Sequence, residues 1–279
     1  MKIPRLLLTV IKMLVNLLLK ILSLLQQLHF YLFDQFILYP LMRKIAKTYQ
    51  IEFLNLGYAP ELGAFTSLET ETSVKYHYYL YEKALSLCPP YEKLDKTNLL
   101  DVGCGIGNSI KWIKQAHPEI NKVIGVDKCI QSKKNSNLIE GDAEKLPFQD
   151  SEFDIVLNVE SSHLYSNPQR FFNEAFRVLK SNGHLCWTDL RPSDQANTPF
   201  KEAKNAGFHL VNSECINEQV LNGINFTSAH YDQKLSTTPW FIRMFSRTFR
   251  TTYCAPGTPT YQKIQSGQTV YQVACWRKL

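Results

Sequence analysis

From Leu6 to Leu28 the chain reads LLLTVIKMLVNLLLKILSLLQQL, and its polar positions follow a rule. Arg5, Thr9, Lys12, Asn16, Lys20, Ser23 and Gln27 succeed one another at three- or four-residue steps. That spacing collects them in one narrow stripe along a helix, with leucines and isoleucines around the rest. A spanning helix would carry Lys12 near the bilayer centre, at a cost of about 2.5–3.5 kcal/mol on insertion scales. Lying in the interface lets the stripe face water while the apolar face sinks into acyl chains. Residues 1–50 are therefore expected to form an amphipathic anchoring segment, touching a membrane surface through residues 1–40 with the aromatic stretch His29–Tyr39 at headgroup level. Lys12 splits the apolar run and no small-residue cleavage site follows, unlike a secretory signal. A soluble helix docked on the protein's own core is the alternative.

Beyond residue 51 the period changes. Short apolar runs at Leu99–Val102, Lys122–Val126, Leu138–Glu140, Phe153–Val159 and His184–Leu190 read as buried strands. Helical stretches follow Gly107, with Trp112 and Ile113, and run from Pro168 to Leu179. Strands alternating with helices predict an α/β, doubly wound parallel sheet over 51–279, whose ligands bind at the strands' carboxyl ends. A sixth strand is expected near Phe208–Cys215 and the last over Thr269–Trp276. Between them an insert at about 217–267 is far longer than a hairpin loop. Within it Phe241, Phe245 and Phe249 fall at i, i+4, i+8, with Arg243, Arg247 and Arg250 on another side. Such a helix either faces the core or serves as a lid over an apolar substrate.

The net charge of +6 points at first toward nucleic acid, but residues 1–47 hold seven Lys and Arg against the single acid Asp34. The remainder is balanced, which favours an anionic membrane and excludes a nucleic-acid partner. Seven cysteines stand singly, with no C-x-x-C and no zinc spacing, so no metal site is expected and a reduced, cytosolic-face setting is.

The chemistry begins at NLLDVGCGIG. A strand meets a turn of Gly103, Gly105 and Gly107, whose backbone can approach a ligand at the start of a helix. Asp101 precedes that turn, where a carboxylate would repel a pyrophosphate and suit an ammonium instead. Asp127 closes the second strand, placed to accept bonds from ribose hydroxyls. Asp142, His163 and Asp189 come to the same sheet edge. A histidine near neutral pKa can take a hydroxyl proton, so His163 is the expected general base and Asp189 the group that orients it; His77, in YHYYLYE, is less well placed.

These motifs resemble the class I methyltransferases: DVGCGIG their first motif, VIGVD their ribose-binding acid and GDAEKLPF their adenine-binding loop. The resemblance implies a Rossmann-like seven-stranded fold with S-adenosylmethionine as cofactor. Gly103, Cys104 and Gly105 would wrap its methionine moiety, Asp127 its ribose, Asp142 and Ala143 its adenine, with Asp101, Gly107 and Asn158 completing the site. More closely, GDAEKLPFQDSEFDIVLNVESSHLY, TDLRP, YPLMRKI and NLGYA are similar to the mycobacterial phthiotriolone and phenolphthiotriolone dimethylphycocerosate methyltransferases. That implies methyl transfer to a hydroxyl of a lipid-like or polyketide-like acceptor. Methylation at carbon of a sterol or quinone ring is one alternative. A cofactor-binding scaffold without turnover is another, because only fourteen residues separate Asp127 from Asp142, little for a parallel crossover.

Overall fold

The structure is a computed structural model that describes residues 55–61, 74–128, 130, 136–244 and 246–279. The expected anchoring segment, YPLMRKI and most of the short crossover lie outside the described residues. Among the described residues, no helix is long and apolar enough to cross a membrane.

In chain order the elements are α1 (Lys75–Ser86), β1 (Asn98–Val102), α2 (Asn108–Ala116), β2 (Lys122–Asp127), β3 (Leu138–Glu140), β4 (Phe153–Val159), α3 (Pro168–Val178) and β5 (Leu179–Pro192). Then follow α4 (Thr198–Asn205), β6 (His209–Cys215), α5 (Asn217–Ser236), α6 (Trp240–Arg243), α7 (Ser246–Thr252), α8 (Pro259–Gln265) and β7 (Thr269–Arg277). The seven strands form one sheet in the order β3-β2-β1-β4-β5-β7-β6. The first five run parallel, while β7 runs antiparallel to both β5 and β6. This is the expected α/β, Rossmann-like sheet, with its order reversing at β1 and β4, where such sheets bind ligands.

Two apolar layers cover the sheet. Leu80 and Leu85 of α1 and Ile113 of α2 pack on one face with Ile155 and Val273. On the other, α3 presents Phe171, Phe172, Ala175 and Val178 to Trp187 and Trp276. Those four positions lie within one helical stripe, and each buried aromatic contributes about 1.5–3 kcal/mol. Glu82 is buried in the first layer, yet its carboxylate accepts from Trp112 Nε1 at 3.0 Å and Tyr91 Oη at 2.9 Å and pairs with His117 Nε2 at 3.0 Å. The satisfied partners are what make that burial tolerable.

Three sequence expectations are corrected. The helix after Pro168 ends at Val178, and β5 begins at once at Leu179, five residues before the expected His184. Within β5 the pairing with β4 is irregular: the partners jump from Phe153–Leu179 to Ile155–His184, with Asn182 left-handed (φ 66°) in the intervening stretch. At its other end β5 outruns β4 and continues to Pro192 on the support of β7 alone, so Asp189 is not the strand's end but its first residue past β4. In the insert, the described residues on either side of Phe245 form two short helices, α6 and α7; Phe249 is buried, and Arg250 pairs with Asp232 of α5 at 3.1 Å.

The insert's first half belongs to the core. Val220 and Ile224 of α5 are fully buried, and a Cβ at Gly223 would lie 2.7 Å from the backbone of Gly57. Phe226, Trp240 and Met244 remain exposed.

Candidate active site

The loop after β1 takes three left-handed glycines in five residues, Gly103 (φ 80°), Gly105 (φ 58°) and Gly107 (φ 85°). The N–H groups of Gly103 and Cys104 donate to Val126 O at 2.8 and 3.2 Å, pinning the loop to the end of β2. Gly105 N–H donates to Asp127 Oδ2 at 3.0 Å, and Gly107 caps α2. Two of the glycines differ in what surrounds them. A Cβ at Gly103 would stand 1.9 Å from Ser161 Oγ, so protein fills that space; a Cβ at Gly105 would meet nothing within 4 Å.

Open space above a left-handed glycine, beside Asp127, forms a cradle where a ligand could approach backbone closely. Asp101 is buried and accepts from Ser109 Oγ at 2.6 Å. Burial pushes its carboxyl up to about 7; the Ser109 bond opposes this and the charge of Asp127 adds to it. Asn158 is fully buried, donating through Nδ2 to Val102 O at 2.8 Å and to Tyr165 Oη at 2.9 Å, while its Oδ1 has no hydrogen-bond partner among the described residues. Gly141 N–H donates to Asp127 O at 3.0 Å, which brings the loop after β3 beside this cradle. There Asp142 accepts from Glu144 N–H at 2.9 Å and pairs with Lys128 at 3.2 Å, while Ala143 packs into the core. The Cys104 side chain is buried against Gly125, leaving its backbone to the loop.

A second cluster stands at the ends of β4 and β5. His163 lies in a single 3₁₀ turn, Ser162–Leu164, with its Nδ1 2.6 Å from Asp189 Oδ1. Asp189 is fully buried, and it also accepts from Ser162 Oγ at 2.7 Å and pairs with Arg191 at 3.0 Å. Ser162 Oγ in turn accepts from Trp187 Nε1 at 2.9 Å and Arg191 Nη2 at 2.8 Å. Burial opposes an imidazolium at His163, but the hydrogen bond and charge of Asp189 outweigh it and raise the pKa above the ordinary histidine value. Burial likewise works against a charged Asp189, yet His163, Arg191 and Ser162 hold its carboxyl below its ordinary value. Ser161 and Ser162 join the two clusters: Ser161 Oγ shares a 2.7 Å hydrogen bond with Tyr165 Oη, which meets Asn158.

The fold therefore brings together Asp101, Gly103–Gly107, Asp127, Asp142, Asn158, His163 and Asp189 along one sheet edge. It does not bring His77 there. His77 is buried between Asn55 Oδ1 at 3.0 Å and Tyr231 Oη at 2.7 Å, and burial drops its pKa to about 3. The neighbouring tyrosines pack, Tyr76 stacked on Phe226 and Tyr78 on Trp112.

Glu160 is the residue that sequence reasoning passed over. It closes β4 in a left-handed conformation (φ 46°), with Oε1 accepting from Leu56 N–H at 2.6 Å and from the Tyr271 hydroxyl. Burial pushes its carboxyl up to about 7, against those bonds and the charge of His163. An acid directly after the apolar run FDIVLNV was the available signal.

A family model described as a methyltransferase domain matches residues 100–187. A phthiotriol/phenolphthiotriol dimycocerosates methyltransferase of Mycobacterium leprae is 30% identical over 86% of this chain and 90% of its own length. A fatty-acid O-methyltransferase of Mycolicibacterium smegmatis is 27% identical over 82% of this chain and 84% of its own. Among solved structures, the cyclase SpnF aligns with TM-score 0.57 at 19% identity, covering 81% of this chain and 87% of that one. An O-methyltransferase from a Brevibacillus brevis trans-AT polyketide multienzyme, in complex with S-adenosyl-L-homocysteine, aligns with TM-score 0.53 at 14% identity, covering 81% and 84%. At such identities the two structures speak for the fold alone.

Proposed function

Because this chain belongs to the family of the phthiotriol/phenolphthiotriol dimycocerosates methyltransferases, which are class I S-adenosylmethionine-dependent enzymes, we propose that it methylates a hydroxyl of a lipid-like or polyketide-like acceptor at a membrane. The observation that carries this reading is the dyad. With Nδ1 of His163 engaged by Asp189 at 2.6 Å, Nε2 is the ring atom left to take a proton. About a third of the His163 side chain is exposed (31%), against none of Asp189, so the base meets the acceptor while its partner stays shielded.

The cofactor supplies an electrophilic methyl group. The residues present fit it. The space above Gly105 admits a ligand against backbone, and Asp101 is a buried carboxyl that a cationic ammonium would hold ionised. Asp127 can take ribose hydroxyls, Asn158 Oδ1 is a buried acceptor in want of a donor, and Asp142 and Ala143 border the adenine side. At the other cluster His163 removes the hydroxyl proton as the oxygen attacks, and Asp189 stabilises the imidazolium that forms. The exposed Leu164 beside His163 and Ile106 in the glycine loop suit an apolar acceptor. The basic, leucine-rich residues 1–40 would hold the enzyme where such acceptors reside.

The test is methyl transfer from isotopically labelled S-adenosylmethionine to a panel comprising a long-chain secondary alcohol, a fatty acid and a quinol, with products located by mass spectrometry. A methyl ether of the alcohol is expected. Label on a ring carbon, or cofactor binding with no transfer to any acceptor, would overturn the reading.

A further inference from the structure

The sequence offers no local metal motif, yet the fold gathers three cysteines that are far apart in the chain. Cys88, Cys186 and Cys275 are buried, and their three sulfur atoms all lie within 4.8 Å of one another. Each comes from a different element. Cys88 follows α1 and is fixed by its N–H bond to Leu85 O at 2.9 Å; Cys186 on β5 and Cys275 on β7 are direct cross-strand partners. All three are free thiols, and no step of the proposed methyl transfer uses them.

We infer that Cys88, Cys186 and Cys275 form a binding site for one divalent thiophilic cation of the zinc class. Metal–sulfur bonds of about 2.3 Å around one ion put its sulfurs roughly 4 Å apart, which the observed spacing accommodates. Thiolates select soft or borderline cations over hard ones such as Mg²⁺ or Ca²⁺. Charge decides between a divalent and a monovalent ion. Three thiolates leave one net negative charge around M²⁺ but two around M⁺, and burial penalises each uncompensated charge. Binding replaces the three S–H protons by the cation and releases three protons.

A divalent ion of this class prefers a fourth ligand. His184 stands two residues before Cys186, on the same face of β5, and is itself buried. Beside it an opening of about 630 Å³ is lined by Pro89, which adjoins Cys88, and by His184 and Arg277, each two residues along its strand from Cys186 and Cys275 respectively. That opening provides the entry path and lets a solvent molecule complete the coordination, since the ring of His184 stands outside the three-sulfur cluster.

The full chain, reduced and stripped of metal, is titrated with Cd²⁺ as a spectroscopic stand-in. A sulfur-to-cadmium charge-transfer band should saturate at one equivalent per chain, with competition by Zn²⁺. Cys186→Ala and Cys275→Ala should each abolish stoichiometric binding. Cadmium NMR of the wild-type protein needs no variant: a resonance in the sulfur-rich range is expected even if a cysteine variant fails to fold. No band under reducing conditions, a resonance typical of oxygen ligands, binding that survives Cys186→Ala, or a Cys186–Cys275 disulfide in place of the thiols would each overturn the inference.

Discussion

His163 and Asp189 are joined twice. The imidazole Nδ1 lies 2.6 Å from Oδ1 of the carboxylate, and the His163 backbone N–H donates to Oδ2 at 2.9 Å. The ring is thereby fixed in orientation and in tautomer, because an ionised acceptor at Nδ1 keeps the proton there. His163→Ala should leave S-adenosylmethionine affinity nearly unchanged in calorimetry while turnover falls by about 10²–10⁴, the usual contribution of a positioned base. Only neutral imidazole accepts the proton, so the wild-type rate should rise with pH. Since Asp189 raises the His163 pKa, the midpoint should lie above the ordinary histidine value. A flat profile in the wild type would remove His163 from the mechanism.

Asp189 also holds the structure. It is the shared partner of His163, Ser162 and Arg191, and Arg191 is itself buried. Asp189→Asn keeps the shape but leaves Arg191 without a charge partner, a loss of about 3–5 kcal/mol when a buried pair is broken. Chemical denaturation at pH 7 should register it. The native carboxyl lies below its ordinary value, so this contribution is present above the unfolded pKa and lost as pH falls through the folded one. The difference between wild type and variant should therefore shrink in acid; a constant difference would mean packing, not charge, is at work.

Much of this site was legible because its signals are local. DVGCGIG, the acid after VIGV and the His three residues past Glu160 each lie within one strand-to-loop junction, so strand assignment alone carries them to one edge. What escaped depends on distance through the chain. Cys88, Cys186 and Cys275 share no spacing that a motif could match. The Asn55–His77–Tyr231 chain, which removes His77 from candidacy, crosses α1 and α5. The extension of β5 to Pro192 exists only because β7 pairs with it, and no pattern within residues 184–192 records that.

The two glycines of the cradle should behave differently. Gly103→Ala drives a Cβ into Ser161 Oγ at 1.9 Å, and should destabilise the fold by about 1–3 kcal/mol from overpacking, with strain at φ 80° besides. Gly105→Ala meets no atom within 4 Å, so only the left-handed strain of about 1–2 kcal/mol applies. Its thermal unfolding should stay close to wild type in shape, but S-adenosylmethionine should bind far more weakly, because the methyl occupies the ligand's space. Equal cofactor affinity in wild type and Gly105→Ala would place the ligand elsewhere.

The proposed anchor should be separable from the chemistry. Deleting residues 1–28 should release the protein from anionic vesicles in a flotation assay and leave cofactor affinity intact, since every described cradle residue lies far along the chain. Raising salt should weaken vesicle binding of the full chain, as expected where Lys2, Arg5, Lys12 and Lys20 meet anionic headgroups. Undiminished flotation after the deletion would refute the proposal.

Asp101 should make cofactor binding depend on pH. Its carboxyl is pushed up to about 7 by burial, despite the 2.6 Å bond from Ser109, so in the free protein it is mostly protonated in mildly acidic solution. A ligand ammonium beside it favours the ionised form, and the work of ionising the group is subtracted from binding wherever it starts protonated. S-adenosylmethionine affinity should therefore increase as pH rises from 6 toward about 7, a range in which the ligand ammonium is still protonated. The free protein should show the opposite trend. A carboxyl whose folded pKa is raised loses stability as pH climbs from the unfolded value, about 3.9, toward the folded one. Bound cofactor should cancel that loss, making thermal stabilisation by the ligand larger at pH 7 than at pH 6. Asp101→Asn has no proton to lose, and its cofactor affinity should be weak and nearly independent of pH. Glu160 also titrates near 7, but it is retained in that variant, so a slope that persisted in Asp101→Asn would assign the pH dependence to Glu160 and take the ammonium away from Asp101.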